Sequence, residues 1–292
     1  MSEESEEINA APSNTGRLTW VAGNRPVDEL DETSQKILAA GEGMNGTSIF
    51  DPVLCELAYR WYCPPGGAIL DCFAGGSVRG IVAGALGYRY TGVDLRAEQV
   101  AANREQGIDV FKRLQGIKRE TLAVMPEWRC GDSQDIAAVA PGEYDFLFSC
   151  PPYADLEVYS EDARDLSAIA ASNYEAFRLA YSGIIKASVG SLKPDSFACF
   201  VIGEVRRADG SYYNFVGDTV RAFIEAGCSY YNECILVTAL GSLPVRAGRQ
   251  FQGGRKIGKT HQNVLVFLKG DWRKAVAKLG PDCQFGELPH EE

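Results

Sequence analysis

The sequence predicts an open, doubly wound α/β sheet of seven strands, mostly parallel, with an antiparallel last strand and helices on both faces. Three features carry this expectation. Short runs rich in Val, Ile, Phe and Tyr recur along the chain and end in an acid or a turn. The segments joining the first of these runs are long enough for helices. The last two runs follow one another with no helical pattern between them.

The first four runs are Ala68-Ile69-Leu70-Asp71, Tyr90-Thr91-Gly92-Val93-Asp94, Trp128-Arg129-Cys130-Gly131-Asp132 and Tyr144-Asp145-Phe146-Leu147-Phe148-Ser149, read as buried parallel strands. Ser172-Asn173-Tyr174-Glu175 has the spacing of a capping box. Phe177, Tyr181, Ile184, Ile185, Val189 and Leu192 then recur at helical period up to Lys193-Pro194, which makes one amphipathic helix. That helix feeds a strand from Phe197 to Ile202. A second helix, near Phe215 to Ala226, stops at Gly227 and leads to a strand from Tyr231 to Val237. The final strand is Asn263 to Leu268. With no crossover helix before it, it should pair antiparallel with its predecessor.

A chain of 292 residues, 46% hydrophobic and 23% charged, can bury a full core. Residues 1–16 have hardly any bulky apolar side chain to offset the entropy of ordering, so a disordered acidic tail is expected there. No apolar run is long enough to span a bilayer and the N-terminus is acidic, so a cytoplasmic protein with no membrane association is expected. The nine cysteines are odd in number, scattered and mostly set in apolar runs, which suits reduced thiols. With no Cys-x-x-Cys pair and only His261 and His290 as histidines, no metal is expected.

A net charge of −10 argues against a phosphate-bearing partner until its distribution is considered. Residues 1–32 hold eight acids and two bases, whereas residues 245–278 hold nine Lys and Arg against the single acid Asp271. An electrically polar molecule with one basic region follows.

Ligands of open α/β sheets bind at the carboxyl ends of the strands. There, Asp71 is followed by Cys72-Phe73-Ala74-Gly75-Gly76-Ser77, a glycine turn whose missing side chains let a ligand touch backbone. Asp94-Leu95 ends the second strand, where an acid grips ribose hydroxyls in nucleoside-binding α/β units. Asp132-Ser133 ends the third, with an acid suited to an adenine amino group. Together they indicate an adenosine-containing cofactor. The turn lacks both the Gly-x-Gly-x-x-Gly pattern and a terminal Gly-Lys-Ser/Thr, which weakens nicotinamide dinucleotides and ATP.

The fourth strand runs into Cys150-Pro151-Pro152-Tyr153. Two prolines straight after a buried strand cannot continue a ladder, because they lack N–H groups and have fixed φ. They make a rigid lip whose carbonyls can face a ligand. Acceptors aimed at the N–H bonds of a cytosine or adenine amino group would localise its lone pair and orient it toward a sulfonium methyl. Tyr153 is placed to stack on a base extruded from a duplex.

On these residues the chain resembles the DNA amino-methyltransferases that use S-adenosylmethionine to methylate adenine N6 or cytosine N4. The glycine motif, Asp71 to Ser77, is similar to theirs; Asp94 matches their ribose acid, and Asp132 their third acid. Their Asp/Asn/Ser-Pro-Pro-Tyr loop looks like Cys150 to Tyr153. Thr47-Ser48-Ile49-Phe50-Asp51-Pro52 resembles the segment that covers the methionine end of the cofactor, with Thr47, Phe50 and Asp51 as its contacts. Lys259-Thr260-His261-Gln262 resembles the Lys-x-His-Glu entry to a late strand. The resemblance spans roughly residues 45–270 and implies a Rossmann-like methyltransferase fold. In this reading 17–270 form a single catalytic domain, 17–60 cover the cofactor, 240–262 form a basic loop and 271–292 a C-terminal tail. The chain departs from the pattern at Cys150, a weak hydrogen-bond partner where the family has Asp, Asn or Ser, and at Gln262, where Glu is usual. An amino-group target needs no covalent attack by Cys150.

Leu240 to Gln262 contains Arg246, Arg249, Arg255, Lys256 and Lys259, no acid and five glycines, and is read as a structureless loop that contacts DNA phosphates. Ala154 to Ala171 is read as a lid, and Tyr159, Tyr212 and Tyr213 as aromatic residues near the base. No segment reads as a separate recognition domain, so selectivity is expected to be short or supplied by an oligomer, a homodimer included, or by a partner. Two alternatives to DNA methylation are an RNA base amino-methyltransferase, for example at guanine N2, and an inactive cofactor-binding scaffold.

Overall fold

A strand that is apolar at every position is stable only where both faces of its sheet are covered. The computed structural model of the chain describes residues 50–115, 123–153, 160, 162–238 and 243–280, together with the backbone of 20–21 and 25–26. Seven strands form one sheet: β1 (Ala68–Asp71), β2 (Arg89–Asp94), β3 (Glu127–Cys130), β4 (Tyr144–Ser149), β5 (Leu192–Ile202), β6 (Ser229–Val237) and β7 (His261–Lys269). Their order is β3-β2-β1-β4-β5-β7-β6. The first five are parallel, and β7 lies antiparallel between β5 and β6. This is the expected methyltransferase sheet.

The helices among the described residues are α1 (Pro52–Tyr62), α2 (Val78–Ala85), α3 (Ala97–Gln115), α4 (Ile136–Val139), α5 (Leu166–Ser172), α6 (Tyr174–Ser191), α7 (Phe215–Glu225), α8 (Leu243–Gly254) and α9 (Trp272–Leu279). Side chains alternate across each strand, so one run supplies two cores. Leu70, Leu147, Phe200, Ile202, Leu265 and Phe267 pack with Tyr181 and Ile185 of α6 and Phe223 of α7, where the Phe223 and Phe267 rings stack at 3.9 Å. Ile69, Phe146, Phe148, Cys199, Val201, Val264 and Val266 face the opposite way, toward Tyr59 of α1, Ala83 of α2, Val100 of α3 and Ala275 of α9. α2 approaches the sheet so closely that a Cβ on Gly80 would lie 2.6 Å from Trp128 and 2.8 Å from Tyr90.

The chain divides into two units, Ile49–Thr238 with His261–Glu292, which holds the sheet, and Met1–Ser48 with Ala239–Thr260, which holds α8. The acidic tail 1–16, Thr47, residues 154–159 of the lid segment and residues 281–292 lie outside the described residues. No described helix is long and apolar enough to cross a membrane.

Four sequence expectations are corrected. Residues 240–262 are not a structureless loop, because α8 occupies their first half. Pro244 sits in its first turn, where no N–H is needed, and Arg255, at φ +52°, ends it by donating from its N–H to Phe251 O. The glycines that obscured this helix in the sequence include Gly258, beyond its end, where a Cβ would stand 2.2 Å from Leu243. Residues 271–292 do not start as a tail, since Asp271 caps α9 and Ala275 is buried. The N-cap of α6 is Asn173, accepting from Glu175 N and Ala176 N. Ser172 instead closes α5 by donating to Ile169 O. Finally, the cations of 245–278 do not belong to one unit: Arg246 to Lys259 fall in the unit that holds α8, whereas Lys269, Arg273, Lys274 and Lys278 fall in the sheet unit, at and after the end of β7, by the amino edge of the parallel strands. There Lys269 and Lys278 hold backbone carbonyls of 189, 192, 194 and 195.

Candidate active site

A glycine turn is useful to a ligand only if something else holds its backbone in place. Here a buried ion pair does so. Asp71, fully buried at the end of β1, accepts from Arg79 Nε at 2.5 Å and Tyr90 OH at 2.7 Å on one oxygen, and from Ser149 Oγ at 2.6 Å and Phe73 N at 3.2 Å on the other. Arg79, on α2, extends Nη2 to the carbonyls of Phe73 and Ala74 and lies 4.7 Å from the centre of the Phe50 ring. A buried carboxylate with four donors is fully satisfied. Asp71, read from the sequence as a cofactor contact, is instead turned inward and positions the turn. Burial, and next the Asp71 charge, hold the Tyr90 hydroxyl well above its usual pKa, so it stays a donor to Asp71.

Ser149 completes this arrangement. Its Oγ donates to Asp71 and accepts from Phe73 N at 3.0 Å, fastening the end of β4 to the glycine turn one residue before the Cys-Pro-Pro-Tyr lip. The signal for it was in the sequence, a serine ending a buried strand, as was that for Arg79, a charged residue on the inner face of an otherwise apolar helix.

The other strand tips join the same network. Asp94 accepts from Gly75 N at 3.0 Å and Arg96 N at 2.9 Å, Ala74 N donates to Val93 O, and Gly131 N donates to Asp94 O. Asn103 of α3 donates to Gly75 O at 2.6 Å, and Ser133 Oγ donates to Cys72 O at 2.7 Å. Residues 71, 94, 132 and 150 therefore stand at the carboxyl tips of four neighbouring strands, and bonds from Asp71, Asp94, Ser133 and Ser149 tie those tips to one turn. Gly75 takes φ +48°, which only glycine adopts easily, and a Cβ on Gly76 would meet no atom within 4 Å. Gly76 is exposed, and chain packing does not require glycine there.

The predicted contacts thus sort by direction. Phe73 packs on Tyr181 and Phe200, and Ala74 is buried, so both anchor the turn. Gly75, Asp94, Leu95 and Asp132 are half-buried and Gly76 is exposed. Phe50 is half-buried, edge-on to Phe148 at 5.8 Å, whereas Asp51 caps α1 through Val53 N and Leu54 N. Burial raises the Asp94 carboxyl above the usual range, and its backbone donors only partly oppose this.

At the lip, Pro151 is buried and Pro152 half-buried, and Tyr153 OH lies 3.4 Å from Cys150 Sγ and accepts from Gln262 Nε2 at 2.8 Å. An amide can donate to this phenol where the carboxylate of Glu could not. Burial raises the Cys150 thiol above its ordinary pKa, with Arg79 and Tyr153 opposing in part, so it is a neutral thiol and no thiolate nucleophile. The cations Arg246 and Arg249 on α8 and Arg255 and Lys259 after it are exposed, and Lys256 is half-buried. Among the described residues no cluster of His, Cys, Asp and Glu can hold a metal. Two surface hollows, of about 190 and 290 Å³, lie along helix flanks and include none of the site residues.

No family model matches the chain, and no curated protein matches it in sequence. Among solved structures, TrmN from Thermus thermophilus is 14% identical with a TM-score of 0.47, the match covering 75% of this chain and 49% of that one. The chain thus spans about half the length of that protein. A methyltransferase from Pyrococcus furiosus is 13% identical, TM-score 0.48, with 82% and 95% covered. Magnesium protoporphyrin IX methyltransferase (ChlM) from Synechocystis PCC 6803, with bound SAM, is 14% identical, TM-score 0.45, with 83% and 86% covered.

Proposed function

We propose that this chain is an S-adenosylmethionine-dependent methyltransferase acting on an exocyclic amino group, cytosine N4 or adenine N6, of a base flipped out of DNA. The observation that carries the reading is the Ser149 bond pair, which joins the Cys150-Pro151-Pro152-Tyr153 lip to the glycine turn. The open space at Gly76 and the strand-end acids fit the cofactor. Gly75 and Gly76 would lie against it, Asp94 would bind its ribose and Asp132 its adenine, with Phe50 over the site. When bound, S-adenosylmethionine supplies an electrophilic methyl group on sulfur.

The chain's own residues then do the orienting. The Pro151 carbonyl accepts from the target amino group and directs its lone pair, which is delocalised into the ring in the free base. Cys150, a neutral thiol already engaged with Tyr153, contributes shape and a weak acceptor. Tyr153, its hydroxyl held by Gln262, presents a ring to the extruded base. The five cations from Arg246 to Lys259 contact DNA phosphates.

The test is nucleoside mass spectrometry of DNA from cells expressing the protein, beside a Tyr153→Ala variant, with labelled methyl transfer to duplex DNA and to structured RNA run in parallel. N4-methylcytosine or N6-methyladenine that disappears in the variant is expected. Label entering only RNA would move the activity to the RNA alternative. Cofactor binding without transfer to either would leave the scaffold reading.

A further inference from the structure

Beyond the lip, the wall on the substrate side is built by residues that the motifs do not include. β5 lies next to β4 in the sheet and ends at Ile202, so the chain that follows it emerges beside Tyr153; a Cβ on Gly203 would stand 3.7 Å from Cε2 of that ring. From there Glu204 to Asn214 turn back on themselves as a short hairpin. Arg206 and Tyr212 pair as an antiparallel bridge, Arg207 N donates to Ser211 O at 2.8 Å, and Tyr213 N donates to Val205 O at 3.0 Å.

This hairpin is braced at every corner. Glu204 accepts from Phe215 N and Val216 N and so ties the base of the hairpin to the start of α7. Asp209 accepts from Ser211 N and Oγ within the turn. Arg206 donates to Gly210 O at 2.7 Å and Tyr212 OH at 2.8 Å. Tyr213 stacks on Tyr174 at 4.1 Å, and the Tyr174 hydroxyl bonds Asp218 at 2.8 Å. Three of the four charges are thereby engaged with the protein. The fourth, Arg207, is exposed; its guanidinium lies 5.0 Å from the Tyr213 ring centre and its side chain has no hydrogen-bond acceptor among the described residues. A guanidinium held over a fixed ring keeps its N–H fork free for a planar or tetrahedral oxyanion while losing little entropy on binding.

The geometry points to Glu204–Asn214 as the substrate-side wall of the active site, with Arg207 docking a backbone phosphate of the DNA strand beside the target base. This rests on the nucleic-acid reading of the site. An internal control exists: Arg273 on α9 is also an exposed arginine, 4.6 Å from the ring of Trp272, but it belongs to the amino edge of the sheet.

The experiment is fluorescence anisotropy of a labelled duplex oligonucleotide with the full-length wild type, Arg207→Gln, Arg207→Lys and Arg273→Gln, over a series of salt concentrations. Loss of one phosphate contact at ~0.1 M salt predicts roughly eightfold weaker binding for Arg207→Gln and a log–log salt slope smaller by about 1. Arg207→Lys keeps the slope, and Arg273→Gln matches the wild type. The proposal is overturned if Arg207→Gln and Arg273→Gln behave alike, if affinity falls with the slope unchanged, or if only a structured RNA probe depends on Arg207. Binding is read separately from catalysis. Arg207-dependent DNA binding without methyl transfer would keep the wall and end the amino-methylation reading, whereas DNA methylation with Arg207→Gln binding normally would end the wall alone.

Discussion

At the residue scale, the site shows how burial separates two carboxylates that look alike in the sequence. Asp71 and Asp94 both end strands, but Asp71 is fully buried under four donors, while Asp94 at the rim accepts from the backbone N–H groups of Gly75 and Arg96, with the Arg96 Nε 3.7 Å away. Each Asp94 oxygen keeps an acceptor position for a ribose hydroxyl. Burial raises the Asp94 pKa above that of the unfolded chain, so ionising it opposes folding: its contribution to stability is complete below the unfolded value and is lost as pH rises through the folded one. Ligand binding has the opposite slope, because a carboxylate accepts two hydroxyls better than its acid does. S-adenosylmethionine affinity, measured by calorimetry, is expected to fall as pH drops through a window above the ordinary aspartate range. Asp94→Asn should bind weakly and lose this dependence. A wild-type affinity flat down to pH 4 would remove Asp94 from the binding role.

At the scale of elements, α2 is where packing and site meet. Gly80 lies on its inner face, with Trp128 and Tyr90, both almost fully buried, at distances a Cβ cannot occupy. Gly→Ala in a helix ordinarily gains up to about 1 kcal/mol, whereas overpacking a rigid core costs ~1–3 kcal/mol. The second effect should win, because the Tyr90 hydroxyl is tied to Asp71 and its ring cannot move without disturbing the ion pair under the glycine turn. Gly80→Ala is therefore expected to lower the melting temperature and weaken cofactor binding together. Gly183→Ala on α6, where an added Cβ meets nothing within 4 Å, should raise the melting temperature slightly. Equal thermal shifts in the two variants would refute this account of α2.

At the scale of the whole molecule, the charge asymmetry acquires a different meaning once the chain is folded. Of the nine cations in 245–278, Lys278 fastens α9 to the start of β5 and Lys269 ties the end of β7 to the carbonyls of Val189 and Leu192, and the five from Arg246 to Lys259 belong to the unit that carries α8. Replacing these five with Gln is expected to reduce the salt slope of DNA binding by roughly 4.5, on the scale of about 0.9 per released counterion, with the melting temperature kept. Unchanged affinity and slope would end the phosphate-contact role of that segment.

The sequence by itself determined the class of sheet, the position of all seven strands and the place of the glycine turn and diproline lip, because these depend on short-range patterns: apolar runs, chain punctuation and residues with special backbone freedom. Only the tertiary structure decided which acids face outward, that Ser149 and Arg79 hold the site together, that Asn173 rather than Ser172 caps α6, and that a glycine-rich basic stretch contains a helix. Some of the partners involved are distant, as Ser149 is from Asp71 and Phe73; others are near in the chain, as Asn173 is to the N–H groups of Glu175 and Ala176, and were settled only by which backbone groups the fold left unpaired. A side chain's direction and its hydrogen-bond partners are set by what packs against it, and local sequence does not contain that information.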